Sequence, residues 1–285
     1  MNEKTIWQKL QTIDSRIIYG ILIACILLPL LFPLKLPILP SQQSEEFYAT
    51  VEKIAKTDPN KIVIVDGQWA PGTRGENQWQ TVAILNHLMQ RHIHFAILSF
   101  DTQNNTITQG LAESIAAKYG YVYGRDYVNW GYRPFAVFTQ TLKGLVNNIP
   151  GTIKKDWKGK PIADFPVMQG IKDIQDVKGI VEITPSGTLD TWIGLVQGVN
   201  KTPVLYAPTA VMAPDSYSYL DSGQISGLLT GVKGAGDYEK LTGVTSFGTK
   251  AAGALSLVYA LIILLIIIGN IGYFQQKAAE KRGQA

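Results

Sequence analysis

Asp66 and Asp101 each end an apolar run, in KIVIVDG and HFAILSFD. A carboxylate at the end of a buried strand can serve as a general acid or base, or hold a polar solute, if it faces an open crevice. Beside Asp66 the loop DGQWAPGTRGEN adds Trp69, a stacking surface, and Arg74, a permanent cation for an anion or an acidic partner. Asp66, Trp69, Arg74 and Asp101 are therefore the candidate ligand-binding residues, and the two aspartates are the best acid–base candidates. The same residue types have a plainer use. Strand-end Asp, Ser and Thr, here also Thr184, Ser186 and Thr209, cap the helices that follow, and an arginine in a loop pairs locally or with a neighbouring chain. The loop matches neither G-x-G-x-x-G nor the Gly-Lys-Ser/Thr end of a P-loop, so no nucleotide cofactor is indicated.

Other reactive sets are incomplete. His87, His92 and His94 lie close in sequence, but no cysteine or carboxylate completes a zinc-ligand pattern. No metal site is expected. Residues 184–190, TPSGTLD, hold a serine beside glycine without a G-x-S-x-G elbow, and every histidine lies far upstream. The single cysteine, Cys25, falls in an apolar run near the N-terminus, which leaves the rest of the chain without a thiol nucleophile or a disulfide. No catalytic residue is assigned, and the balance lies with a non-enzymatic protein.

Two segments are rich in the residue types that protein interfaces favour. Residues 119–135, YGYVYGRDYVNWGYRPF, carry Tyr127, Trp130, Tyr132 and Arg133. They suit a packed connector, a contact between subunits, or a sugar- or peptide-stacking surface. Residues 209–241 bring Tyr219 and Tyr238 among Gly223, Gly227, Gly231, Gly234 and Gly236, which allow close backbone approach. Asn270, in the C-terminal apolar run, could hydrogen-bond another helix or meet water at the interface. Tyr127, Trp130, Tyr132, Arg133, Tyr219, Tyr238 and Asn270 are the interface candidates.

The elements that must position these residues follow from hydrophobic pattern. A helix fits 41–58, with Phe47, Val51 and Ile54 at helical spacing. Short Val/Ile-rich runs at 61–67, 94–101, 179–184 and 203–208 read as strands buried on both faces. Helices fit between them at about 76–91, 107–119 and 187–199. Strand and helix alternating at these lengths indicate an α/β fold, a Rossmann-like doubly wound sheet of four or more mostly parallel strands.

Two uncharged apolar runs enclose this region. The first, residues 17–34, is 18 residues long and contains Pro29 and Pro33; the second, residues 251–276, is 26 residues long. A bilayer core of roughly 30 Å needs about 20 helical residues. The second run clears that length. The first reaches it if Lys35 snorkels, and with no A-x-A-like cleavage site close behind, it reads as an uncleaved signal anchor. The boundaries are a cytoplasmic tail 1–16, a transmembrane helix 17–36, a domain 37–250, a transmembrane helix 251–274 and a cytoplasmic tail 275–285. Lys4, Lys9, Arg16, Lys277, Lys281 and Arg282 outnumber Lys35 and Lys250, which places both tails in the cytoplasm and the domain outside. Residues 36–250 hold 19 Lys plus Arg and 19 Asp plus Glu, so the domain has no basic surplus for nucleic acid. The lipid bilayer is one expected partner; copies of this chain or other membrane proteins are the others.

At DYVNWGYRP, VMQGIKDI, PSGTLDTWI and YLDSGQISGLLTGVKGAGDYE the chain resembles an uncharacterised family of bacterial membrane proteins with a transmembrane helix at each end and an α/β domain between. The likeness covers most of residues 61–274. It implies the bacterial inner membrane and carries no activity with it. The expectation is a non-enzymatic structural or scaffolding subunit of a membrane assembly. The alternatives are a membrane-tethered solute-binding domain, and an envelope hydrolase or transferase.

Overall fold

The apolar run IVIVDG forms strand β1 (Ile62–Gly67), buried along its whole length. Residues buried on both faces need partners on both sides, and β1 has them: β2 (Phe95–Ser99) pairs with one edge and β4 (Val177–Thr184) with the other. The computed structural model describes residues 13–32 and 39–283. Among these, five strands form one all-parallel sheet in the order β3-β2-β1-β4-β5, with β3 at Tyr127–Tyr132 and β5 at Val204–Pro208. The chain runs outward from β1 to β3, then returns to β4 on the opposite side of β1.

Strand β3 corrects the reading of 119–135 as a connector or subunit contact. In YVNWGY, alternation sends Tyr127 to one face of the sheet, and Val128 and Trp130 to the other. Aromatic and β-branched residues suit such a pleated surface. Gly131 adopts a positive φ of 81°, and a methyl there would lie 3.4 Å from Trp157 Cα, so glycine lets the 154–160 loop sit against the strand end.

Helices cover both faces. On one side, α2 (Gln42–Ala55), α3 (Arg74–Gln90) and α4 (Thr102–Tyr119) pack on Val63, Val65, Phe95, Ile97, Val181 and Leu205. On the other, α5 (Phe138–Asn147), α6 (Ile149–Ile153) and α7 (Leu189–Trp192) pack on Ile62, Ile64, Leu98, Trp130 and Ile180. A π-helical turn, Ile193–Gln197, and a last turn, Gly198–Asn200, continue α7. Gly120, at φ 68°, closes α4 in the left-handed conformation usual at helix ends.

Helix α8 (Tyr217–Asp221) and helix α9 (Gly231–Thr242) follow β5. Gly227, between them, touches α2: a methyl there would fall 2.3 Å from Phe47 Cα. Helix α9 anchors the two ends of this unit, residues 38–249. Its buried Asp237 accepts from the backbone of Ser41 (3.0 Å), just before α2. Its buried Glu239 accepts from the backbone of Ser246 (2.9 Å), Gly248 (3.1 Å) and Thr249 (2.8 Å), capping the first turn of the long helix that follows. A carboxylate at a helix N-terminus satisfies orphan N–H groups and complements the helix dipole.

The other unit comprises the two terminal segments. Helix α10 (Phe247–Gly283) includes Phe247–Ala278, with mean hydropathy 2.8; it is the one helix among the described residues long and apolar enough to cross a membrane. Ile263, Leu264, Ile266 and Ile267 expose half or more of their surface along it. Helix α1 (Ser15–Leu31) is apolar but only 17 residues long. At 1.5 Å per residue it spans about 26 Å, short of the roughly 30 Å bilayer core. The rest of the expected first span, residues 33–36, lies outside the described residues.

Candidate functional site

In open α/β sheets the crevice for ligands lies at the carboxyl ends of the strands, where the strand order reverses. Here that point is between β1 and β4. Asp66 of β1 stands in register with Glu182 of β4. Alternation puts both on the face of Ile64 and Ile180, so two carboxyl groups lie side by side inside the sheet.

One short segment joins them. The chain leaves β1 through Gln68, whose backbone N–H bonds Ile183 O at 3.0 Å. That fixes the side chain, whose Nε2 donates to Asp66 Oδ2 (2.6 Å) and Glu182 Oε1 (3.1 Å). From α7, Trp192 Nε1 donates to Asp66 Oδ2 (2.9 Å), and Thr188 Oγ1, just before that helix, donates to Glu182 Oε1 (2.5 Å). Three buried oxygens of the cluster, Asp66 Oδ1, Glu182 Oε2 and Gln68 Oε1, face no donor. Burial pushes the Asp66 carboxyl up to about 7, against the lowering effect of Gln68 and Trp192. Burial, then the charge of Asp66, pushes Glu182 well above the ordinary range. Adjacent buried carboxylates resist ionising together, so the pair holds a proton at neutral pH. That proton supplies a donor the surrounding side chains lack.

The opposite side of the β1 loop is also filled. Trp69 is fully buried, and its indole N–H reaches Thr81 Oγ1 (3.2 Å). With its amide turned to match its neighbours, Asn104 accepts from Trp69 Nε1 (2.7 Å) and donates to Ser99 Oγ (2.9 Å). A methyl on Gly67 would fall 2.3 Å from the Asn104 side-chain amide, so a larger residue at this strand end would have to displace that amide. Asp66, Glu182, Trp192 and Trp69 are all sealed from solvent, and Gln68 is nearly so. The arrangement can store a proton and lock β1 to β4, but it presents no reactive atom to a substrate.

The four sequence candidates do not converge on one cavity. Asp66 and Trp69 are buried on either side of the loop. Asp101 caps α4 through its Oδ1, which accepts from Asn104 N (2.8 Å). Arg74 is exposed at the start of α3 and donates to Gln78 in the next turn. Glu182 and Gln68 were not among the candidates. The available signal for Glu182 was a carboxylate inside the buried run GIVEIT, which demands a partner.

Of the interface candidates, Tyr127, Trp130 and Tyr238 are corrected: each is at most 1% exposed and packs inside the domain. Tyr127 stacks on Phe95 at 5.2 Å, and Tyr238 Oη meets His87 Nδ1 at 2.6 Å. Tyr132 is exposed, and Arg133 is half-buried beside the end of β3. Tyr219 Oη donates to Asp190 Oδ1. Asn270 Nδ2 donates to Ile266 O of its own helix (2.8 Å).

His87 spends its second ring nitrogen on Glu52 Oε1 (2.8 Å). Burial holds its pKa below the ordinary value although Glu52 favours the charged form. His94 Nε2 faces Asp126 Oδ1 at 3.9 Å instead. No group of three or more metal-ligating side chains occurs among the described residues. Comparison of this chain with protein-family models, curated proteins and solved structures finds no match in any of the three.

Proposed function

We propose that this chain is a non-enzymatic, membrane-anchored subunit of a protein assembly, whose α/β domain meets another chain through the carboxyl end of its sheet. The observation that carries this reading is the contrast at that end. The central crevice is plugged by the domain's own side chains, while the loops after both edge strands expose large apolar residues. At the end of β3 and just after it these are Tyr132, Phe135 (54% exposed) and Val137; after β5 they are Val211 (82% exposed) and Tyr217. The two groups stand at opposite edges of the sheet, and large exposed apolar side chains are a mark of association surfaces.

The finer architecture belongs to the same proposal. A Rossmann-like, doubly wound description rests on the strand order and on helices covering both faces. The apolar helix Phe247–Ala278 supports one anchor. A second span near the N-terminus, cytoplasmic tails and an extracytoplasmic domain in a bacterial inner membrane rest on the charge distribution and on the family resemblance.

The test is mass measurement of the full chain after mild detergent extraction. A species heavier than one chain plus detergent is expected. Combined Phe135→Ser, Val137→Ser and Val211→Ser substitution should dissociate it while the unfolding midpoint stays within a few degrees. A clean monomer with no co-purifying protein overturns the reading. A solute-binding role is favoured by a separate observation, a cleft beside the end of β3.

A further inference from the structure

A cleft of about 720 Å³ opens where β3 ends, between Trp130–Arg133 and the segment Gly151–Gly159. Its volume is that of a small-molecule site. Its lining includes two side chains with unpaired donor groups. Trp130 is 1% exposed, and its indole N–H has no acceptor in the protein. Arg133 spends one terminal N–H on Ile153 O (2.9 Å), while its buried Nε–H has no partner. Both groups can only donate.

The charge points the same way. The lining carries Arg133, Lys154 and Lys155 against Asp156, three positive charges and one negative, a formal +2. Lys158 and Lys160 stand close by in sequence, over the rings of Trp157 (5.0 Å) and Phe165 (4.6 Å). Asp156 is already engaged, accepting from Tyr123 Oη (2.8 Å) and from the backbone of Lys158 (3.0 Å) and Lys160 (2.8 Å). Arg133, Lys154 and Lys155 form no ion pair among the described residues. Burial holds the Arg133 guanidinium below its ordinary value, and no carboxylate offsets that. This concentration of charge stands out in a domain that is formally neutral.

The backbone at the lip of the cleft is strained. Lys154 ends α6 at φ 60° and ψ −53°, a conformation that glycine adopts far more readily than lysine. Such strain gathers at functional sites. Glycine would relieve it and would also remove a positive charge from the lip of the cleft.

We propose that this cleft binds a phosphate-bearing anion, held by Arg133, Lys154 and Lys155. A phosphomonoester carries nearly two negative charges at neutral pH and three free oxygens, which matches a +2 lining with donors on several sides. A carboxylate, with one charge and two oxygens, would leave part of that lining unmatched. The site lies apart from the sealed acid pair, and the proposal does not depend on the assembly reading.

The full chain in neutral detergent is titrated with inorganic phosphate and with glycerol 3-phosphate, against chloride at matched ionic strength, and calorimetry and the unfolding midpoint are followed. In parallel, the chain is placed in nanodiscs of phosphatidylcholine with or without phosphatidic acid, whose headgroup is a phosphomonoester. Saturable stabilisation by the soluble phosphates supports a soluble ligand. Stabilisation by phosphatidic acid alone supports a lipid headgroup. In either case Arg133→Gln should weaken binding at least tenfold, and Lys155→Gln several-fold. Lys154→Gly should raise the unliganded midpoint while weakening binding, so it remains informative if the Arg133 variant folds poorly. No stabilisation by any of these probes, or stabilisation that survives both Arg133→Gln and Lys154→Gly, overturns the proposal. The oligomeric mass is unaffected by either result.

Discussion

Asp66 shows how far one residue's behaviour is set by its surroundings. In sequence it is a strand-end aspartate fit for capping or catalysis; in the structure it is sealed beside Glu182 with a carboxyl pushed up to about 7. The folded chain therefore binds this proton more tightly than the unfolded chain. Its contribution to stability is complete below about pH 4 and is lost as pH rises through about 7, with a slope of at most about 1.4 kcal/mol per pH unit. Asp66→Asn keeps the shape and removes that titration. The unfolding midpoint of the variant, followed from pH 4 to 7.5, should fall less steeply than that of the parent chain. Parallel curves would show that Asp66 is ionised in the folded state throughout. Asp66 was visible in the sequence because an apolar strand ended at it. Glu182 was hidden because strand register, a non-local property, makes the pair.

At the scale of elements, the glycines of 209–241 had suggested close backbone approach without saying to what. Gly227 meets α2 at Phe47, where Leu228 N also bonds Gln43 O (3.3 Å) and Thr50 Oγ1 bonds Ser226 O (2.7 Å). Gly227→Ala would drive a methyl into backbone, which cannot rotate away as a side chain can. It should cost about 1–3 kcal/mol, the range for overpacking, and a denaturant midpoint on the full chain would measure it. An unchanged midpoint would mean that α2 docks more loosely than this contact indicates. The strands β1, β2, β4 and β5 were legible because each is a short Val/Ile-rich run between turn residues. Strand β3 was not. YVNWGY mixes polar, aromatic and glycine residues because it is an edge strand beside a cleft, and its aromatic side chains resemble an interface until the sheet is seen to bury them.

For the whole molecule, the proposed topology puts the α/β domain outside the cytoplasm and both tails within it. In a Cys25→Ser background, Ser114→Cys, exposed on α4, should react with a membrane-impermeant maleimide in intact cells. Lys277→Cys should react only after the membrane is opened. The opposite pattern would invert the topology and leave the fold unchanged. Within the domain, α9 holds both ends of the unit, through Asp237 before α2 and Glu239 at the first turn of α10.

By itself the sequence determined the local matters. These are an apolar helix able to cross a membrane, the parallel-strand runs and the helices between them, a domain of balanced charge, and the lack of a complete catalytic motif. Each depends on residues close together in the chain, where periodicity and composition act directly. Only the tertiary structure decided that the crevice at the strand ends is filled, that Asp66 faces Glu182, and that Trp130 and Arg133 meet the lysines of 154–155 around one cleft. Those outcomes follow from strand order, register and loop packing, which join distant segments and leave no periodic trace in any one of them.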